Sequence, residues 1–309
     1  MLFQMKGPCP PVPSLPRLPK GCGPDPGTCV APGTPAVREG DTAQAEEILR
    51  RYGLSGDRLR WFVADLQGSL RRRAAHPYRV DEDILTYTEE AIRDGDVDEA
   101  VWRAFLAAHF GRTSASTEVP GQLASTARLL CGFGKEPYWV WKKVLAEPEC
   151  LRAWLAAHRV DLLMLSFGNH RKYESKEPEL MWWVFESLLK LVKIHGGAPA
   201  NLLQVVPGRA DDTDPFDVLY RRFLMLARFG RTGSFDFIEL LDRLELVKAE
   251  ARSCYLRGST GPRSGAKMLW PGRNLAELER LAVQLASELG VSPGVLEDTL
   301  CNWQKHFPG

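Results

Sequence analysis

Apolar residues recur every three or four positions through most of this sequence. In "SGDRLRWFVADLQGSLRRRA" these positions are Leu59, Phe62, Val63, Leu66 and Leu70. An α-helix completes a turn in about 3.6 residues, so this spacing places all five side chains on one helical face. A helix of this kind has to bury that face against other helices, and the pattern therefore predicts a helical assembly.

Glycine and proline mark where the periodic segments begin and end. "DVDEAVWRAFLAAHFG" has acids in its first turn and Gly111 past its end, and "EPELMWWVFESLLKLVKIHGG" begins at Pro178. These are typical start and stop signals of helices. Short β-branched segments such as "LLQVV" are too few for a sheet, and no internal repeat indicates a solenoid. We predict an all-α fold, an irregular multi-helix globule.

The chain divides into a head and a helical domain. Residues 1–40 hold ten of the twenty-two prolines and show almost no periodicity, so they cannot bury enough surface to offset the entropy of ordering. We predict a disordered head over residues 1–40 and a helical domain over residues 41–309, whose first helix is capped by Asp41 or Thr42. Within that domain, a division near Gly168 to Pro178 would give two helical lobes around a cleft.

The charge balance limits the classes of function. Forty basic residues face thirty-nine acidic ones, so any attraction to nucleic acid must come from a local patch. No apolar run reaches the length of about 18 residues that a membrane span needs, and the N-terminus lacks a secretory signal pattern. We therefore expect a cytoplasmic protein with no membrane partner.

The stretch from Ala251 to Ala276 contains no acidic residue, which sets it apart from the rest of the chain. Its cations are Arg252, Arg257, Arg263, Lys267 and Arg273. Gly258, Gly261 and Gly265 can free the backbone to present amides to an anion, with Thr260 as a hydroxyl donor and Arg263 and Lys267 as charges. The alternative is an exposed connecting loop whose cations are solvated.

A second polar stretch, "ARFGRTGSFDF", places Arg228 and Arg231 on either side of a glycine and Asp236 shortly after them. The arginines can bind an anion, and Asp236 can act as a general base or bind an amine. The alternatives are structural. Cations at a helix C-terminus and an acid in the first turn of the next helix, capped by Thr232 or Ser234, are both stabilised by the helix dipole.

A third polar stretch, "FGNHRKYESK", follows an apolar helix. Its candidate anion-binding residues are Asn169, Arg171 and Lys172. His170 stands beside two cations that disfavour its protonation, so it is a candidate acid/base, although an exposed loop histidine is the alternative. The chain has no HExxH or HxE pattern and no Rossmann or GxSxG motif, so we predict no metal and no cofactor.

The segments "AFLAAHFGR", "LLMLSFGNHRKYES", "ARFGRTGSFDF" and "YLRGSTGPRSGAKMLW" resemble the alpha-glutamyl/putrescinyl thymine pyrophosphorylase family, most closely its third clade. The resemblance covers residues 45 to 305, without the proline-rich head. It implies a helical fold akin to DNA glycosylases. It also implies that the substrate is DNA with modified thymine. In the implied reaction, an amine or amino acid replaces the pyrophosphate of pyrophosphorylated hydroxymethyl uracil in that DNA.

The resemblance gives the candidate residues roles in such a reaction. The target base must leave the stack, and the departing diphosphate needs positive charge. Arg228, Arg231, Arg263 and Lys267 are the candidate clamp, and the glycine-rich stretch supplies amides. Asp236 is the candidate proton acceptor for the attacking amine, and Tyr173 or Tyr255 would orient the base.

Two other classes of function are compatible with the sequence. A DNA glycosylase-like or DNA-binding protein would flip a base without transferring an amine. A helical adaptor would use the cationic stretch to contact an acidic protein, and salt would weaken that contact.

Overall fold

The computed structural model describes residues 39–74, 84–111, 125–132, 138–165, 167–168, 171, 174–204 and 214–307. The described residues form fourteen α-helices and contain no strand, which confirms the all-α prediction. The helices are α1 Glu39–Arg51, α2 Gly56–Ala74, α3 Ile84–Arg93, α4 Val97–Phe110, α5 Ser125–Leu130, α6 Trp141–Ala146, α7 Pro148–Ala157, α8 Arg159–Leu163, α9 Pro178–Ile194, α10 Pro215–Phe223, α11 Gly230–Arg243, α12 Gly261–Leu269, α13 Leu275–Glu288 and α14 Pro293–Trp303.

Most helices begin and end at the signals that the sequence carries. The side chain of Asp96 accepts a hydrogen bond from the amide of Glu99 at the start of α4, and Ser292 caps α14 in the same way. Asn274 and Glu277 form a reciprocal capping box on α13. The first helix begins at Glu39, slightly before the predicted Asp41, and residues 1–38 of the predicted head lie outside the described residues.

Two hydrophobic cores divide the helices into two lobes. The terminal lobe consists of α1, α2, α12, α13 and α14. Its core includes Leu49, Phe62, Leu269, Leu285 and Trp303, so the two ends of the described chain pack together.

The central lobe consists of α3 to α11, and its core runs without interruption through the predicted lobe boundary. The Phe105 ring of α4 contacts the rings of Phe185 on α9 and Phe237 on α11. Helices from both sides of residues 168–178 therefore share one core. The predicted division near Gly168 to Pro178 is wrong, because the lobes are assembled from non-contiguous parts of the chain.

Ion pairs join the two lobes along α11. Arg73 at the end of α2 lies 2.8 Å from Glu239 of α11, and Arg231 of α11 lies 2.6 Å from Glu297 of α14. A Cβ atom at Gly294 would stand 2.2 Å from the Glu239 carboxylate, so a larger residue there would displace that carboxylate. None of the helices in the described part of the chain combines the length and the apolarity that crossing a bilayer requires.

Candidate functional site

Arg171 joins the "FGNHRKYESK" stretch to the "ARFGRTGSFDF" stretch. Its Nε donates to the carbonyl of His109 at 3.2 Å, and its Nη1 donates to the carbonyl of Phe229 at 2.8 Å. The guanidinium also lies over the Phe229 ring, 5.1 Å from the ring centre. Arg171 is only 3% exposed. The side chain predicted to bind phosphate is thus buried, and its hydrogen bonds connect the end of α4 to the start of α11.

Two glycines make room for the Arg171 side chain. A Cβ atom at Gly111 would lie 3.0 Å from Arg171 Cγ, and the backbone there has φ +71°, which disfavours other residues. A Cβ atom at Gly233 would lie 2.9 Å from Arg171 Nη1 and 3.0 Å from the Phe229 ring. The glycines of "HFGR" and "RTG" therefore form a slot for one arginine rather than a phosphate-binding turn.

Replacement of Gly233 by alanine is expected to lower the free energy of unfolding by about 1–3 kcal/mol, because the added methyl group must displace Arg171 or Phe229 from a packed site. Gly233 lies inside α11, so alanine itself suits the local backbone. Urea titration followed by circular dichroism measures the change. Gly68→Ala in α2, where the nearest atoms belong to the end of the exposed Arg72 side chain, is the matched control and should change stability far less.

Arg228 stands next to this slot with its guanidinium accessible. The Glu174 carboxylate lies 3.7 Å from Arg228 and 3.6 Å from Arg171. The Arg228 side chain is 33% exposed, and its backbone has φ +55°. Helix α10 ends at Phe223, so Arg228 lies in the turn between α10 and α11. The alternative interpretation, a cation at a helix C-terminus, is therefore wrong for Arg228.

Arg231 links α11 to the terminal lobe. Besides the ion pair with Glu297, its Nη2 donates to the carbonyl of Cys254 at 3.2 Å, and its guanidinium lies over the Phe235 ring at 4.7 Å. Its Nε has no hydrogen-bond partner among the described residues. The second polar stretch therefore meets the beginning of the stretch that carries the glycines and cations.

Asp236 lies within electrostatic reach of both Arg171 and Arg231. Because α11 begins at Gly230, Thr232 and Ser234 are inside the helix, and Asp236 is in its second turn. The alternative of a first-turn acid behind a Thr232 or Ser234 cap is wrong. Asp236 also interacts electrostatically with Glu239 and Glu297. Both carboxylates and arginines therefore surround it.

Burial shifts the proton affinity of several groups around Asp236. Desolvation raises the pKa of Glu297 to about 7, although the opposite charge of Arg231 lowers it. Desolvation also lowers the pKa of Arg171, against the attraction of Glu174 and Asp236. A carboxyl group that titrates near neutrality beside paired cations is typical of sites that move protons, and also of structural ion-pair networks.

The sequence suggests that His109, at the end of an apolar helix, is a helix cap, but the structure places it in the last turn of α4 as a buried member of this cluster. It is 1% exposed, and neither ring nitrogen has a hydrogen-bond partner among the described residues. Its imidazole packs against phenylalanine rings of the core, namely Phe105, Phe110, Phe167 and Phe185. Burial, with repulsion from Arg171 and Arg228, lowers the pKa of His109 to about 3. The only signal in the sequence was a histidine within the apolar run "AFLAAHFG".

Tyr255 is packed into an aromatic group beside Arg231. Its ring lies 5.0 Å from the ring of Phe216, 4.7 Å from Tyr220 and 5.9 Å from Phe235. Its hydroxyl donates to Asp217, and burial together with that carboxylate raises the pKa of Tyr255. The Tyr255 hydroxyl is thus already engaged in this structure.

The glycine-rich stretch is mostly a helix. Gly261–Leu269 form α12, where a Cβ atom at Gly261 would lie 2.7 Å from Cys301 Sγ and one at Gly265 would lie 2.4 Å from the Leu300 carbonyl. These glycines let α12 approach α14 closely, so the interpretation of a flexible amide-presenting loop is wrong for Gly265. Gly258, with φ +76°, and Thr260 remain in the exposed turn before the helix.

Arg263 and Lys267 lie one turn apart on the exposed face of α12. Neither forms an ion pair with a described residue. They belong to the terminal lobe, whereas Arg171, Arg228 and Asp236 belong to the central lobe. The four residues of the candidate clamp are therefore divided between the two lobes. Asn169, His170, Lys172 and Tyr173 lie outside the described residues.

An open groove of about 910 Å³ lies between α11 and the turn before α14. The residues that line it include Asp214, Asp242, Glu250, Arg252 and Ser292. Its acids are already engaged: Asp214 lies 3.6 Å from Arg252, and Asp242 and Glu250 lie 3.6 Å and 3.5 Å from Arg73. None of the predicted site residues that the structure describes lines this groove.

The comparison with known families gives one match. The family model described as alpha-glutamyl/putrescinyl thymine pyrophosphorylase clade 3 matches residues 55–308. The matched range contains every described residue of the candidate site and helices α2 to α14. No curated protein and no solved structure matches the chain significantly.

Proposed function

The chain belongs to the alpha-glutamyl/putrescinyl thymine pyrophosphorylase family, clade 3, and from that premise we propose the reaction that it catalyses. The family's name indicates hypermodification of thymine in DNA. We propose that this protein displaces pyrophosphate from pyrophosphorylated hydroxymethyl uracil in DNA with an amine or amino acid. The observation that carries the proposal is the position of Asp236 within electrostatic reach of Arg171 and Arg231, with the exposed Arg228 sharing the Glu174 carboxylate with Arg171.

The chemistry needs one base and one cationic contact. The nitrogen lone pair of the nucleophile forms a bond to the exocyclic methylene carbon of the base, and the bond from that carbon to the diphosphate oxygen breaks. The diphosphate leaves with the electron pair, and the amine loses a proton. An arginine beside the leaving group stabilises its growing charge, and a carboxylate nearby accepts the proton.

Arg228 is the described residue best suited to contact the diphosphate. Its guanidinium is accessible, and Glu174 at 3.7 Å leaves its hydrogen-bonding edge available to a stronger anionic partner. Arg231 is held by Glu297 and Cys254, so it would act mainly through its field on Asp236. Asp236 would accept the proton. His170 as acid/base, Tyr255 as a contact to the base, and Asn169 and Lys172 as anion ligands remain predictions.

The α12 surface would hold the DNA backbone. Arg263 and Lys267 are exposed on one face of α12. The turn from Gly258 to Thr260 leads into the first turn of that helix, which supplies backbone amides. Phosphate groups are bound at such positions by charge and by amides that have no partner within the helix.

Arg263→Gln combined with Lys267→Gln is expected to weaken DNA binding and to reduce the slope of log K against log salt by about 1.8, since each lost phosphate contact removes about 0.9. Fluorescence anisotropy with a duplex at several salt concentrations measures this. Lys142→Gln with Lys193→Gln, two exposed lysines of the central lobe, is the charge-matched control. Equal slopes for both double variants would remove α12 from the DNA interface.

The proposed reaction is tested by incubating the protein with DNA that carries pyrophosphorylated hydroxymethyl uracil and a mixture of amines and amino acids. Nucleoside mass spectrometry and a pyrophosphate assay then report the products. Pyrophosphate together with a mass-shifted thymidine is the expected result and identifies the nucleophile. Release of a free base would instead assign a glycosylase, and unchanged DNA despite salt-sensitive binding would assign a binding protein.

A further inference from the structure

The turn between α10 and α11 exposes two large apolar side chains. Leu224 is 43% exposed and Met225 is 66% exposed, while the neighbouring Leu226 and Phe229 are buried. Leu226 and Phe229 anchor the turn in the central core, and the two preceding side chains point away from it. Neither exposed side chain serves the core of the lobe.

The turn is rigid despite its exposure. Successive backbone hydrogen bonds connect Leu224 to Tyr220, Met225 to Arg222 and Leu226 to Phe223. The amide of Ala227 donates to the hydroxyl of Ser187 on α9 at 3.0 Å, which fixes the turn to a second helix. An apolar tip that is held in this way keeps its shape when it is pushed into a partner.

The charge around the tip favours a polyanionic partner. Between Asp217 and Asp236 the chain contains four arginines and no acidic residue, while Glu174 and Glu297 from other elements face Arg228 and Arg231. Arg221 and Arg228 flank the tip and are exposed. An apolar protein surface would gain little from these cations, whereas DNA offers phosphates around an apolar base stack.

We propose that Leu224 and Met225 insert into the base stack of duplex DNA and fill the space that the extruded nucleotide leaves. This inference rests on the proposed function, because that reaction requires an extruded base. Extrusion costs the stacking and pairing energy of one nucleotide, and apolar side chains such as leucine and methionine replace part of the lost stacking. The tip precedes Arg228 by only one short turn, so insertion would bring the vacated position close to the proposed diphosphate contact.

Leu224→Ala combined with Met225→Ala tests the proposal on two forms of the same substrate. On duplex DNA the rate of product formation should fall at least tenfold, because extrusion is no longer compensated. On the isolated modified strand, which has no duplex to open, the rate should stay within twofold of the wild type. Val160→Ala with Met164→Ala, two exposed apolar residues at α8, is the matched control and should retain the wild-type rate on both forms.

A second measurement separates this proposal from the proposed reaction. A duplex with 2-aminopurine beside the modified base should become more fluorescent when the wild-type protein binds, and the Leu224/Met225 double variant should lose most of that increase. An increase without product in the wild type would support insertion and contradict the transferase. Product formation on duplex DNA that is unchanged in the double variant, or lost equally on both DNA forms, would overturn insertion and leave the transferase in place.

Discussion

Replacement of Asp236 by asparagine is expected to lower the rate of product formation by about 10²–10⁴-fold, the usual contribution of a positioned general base. Asparagine preserves the size of the side chain but cannot accept the proton of the attacking amine. The amine is protonated at neutral pH and has no free lone pair in that form. Rapid-quench assays with saturating DNA and amine measure the rate of the chemical step.

The pH dependence of the asparagine variant distinguishes loss of a base from structural damage. Without Asp236 only the free amine reacts, so the rate should rise about tenfold per pH unit below the amine's pKa of about 10. The wild type should show a shallower rise. Glu245→Gln, the same change of an exposed carboxylate just past α11, should keep the wild-type profile. A uniform loss at all pH values would contradict a proton-accepting role.

The helices and most of their limits follow directly from the sequence, since periodicity and capping act locally. Asp96, Asn274 and Ser292 all cap helices at positions that their residue types favour. The division into lobes did not follow, because it depends on which helices share a core. Leu49 and Trp303 belong to the same core although they come from opposite ends of the chain. No local sequence pattern encodes such a pairing.

The candidate site was predictable in its residue types and less so in their roles. Arg171, Arg231 and Asp236 were identified by their unusual density of charge, and the fold brings them together. The sequence could not show that Gly233 makes room for Arg171 or that Gly265 lies against α14, because a glycine in a polar stretch suggests a loop unless its neighbours in space are known. His109 was interpreted as a helix cap because it ends an apolar helix, and the sequence does not show that its imidazole is buried.

His109 is expected to lower the free energy of unfolding as the pH falls below 6.5. Its pKa drops from 6.5 to about 3 on folding, so the folded state holds the neutral ring while the unfolded chain takes up a proton. The stabilisation is complete above pH 6.5 and is lost as the pH falls toward 3. At pH 4.5 the loss from this group is about 2–3 kcal/mol, since each pKa unit corresponds to about 1.4 kcal/mol.

His109→Phe isolates this effect from the other titrating groups. Phenylalanine suits the surrounding rings of Phe105, Phe110 and Phe185 and leaves no ring nitrogen without a partner. Glu297, whose pKa is raised to about 7, acts in the opposite sense, because its protonation as the pH falls favours the folded state. Since that contribution is common to both proteins, the difference between them reports His109 alone.

Urea titrations at pH 7.5 and 4.5 should show the variant gaining about 2–3 kcal/mol relative to the wild type at the lower pH. His158→Phe, which replaces a half-buried histidine at the end of α7, should leave the wild-type difference in place. An unchanged pH dependence in His109→Phe would mean that the buried ring is not neutral, and that the arginines around it are balanced by more negative charge than Glu174 and Asp236 supply.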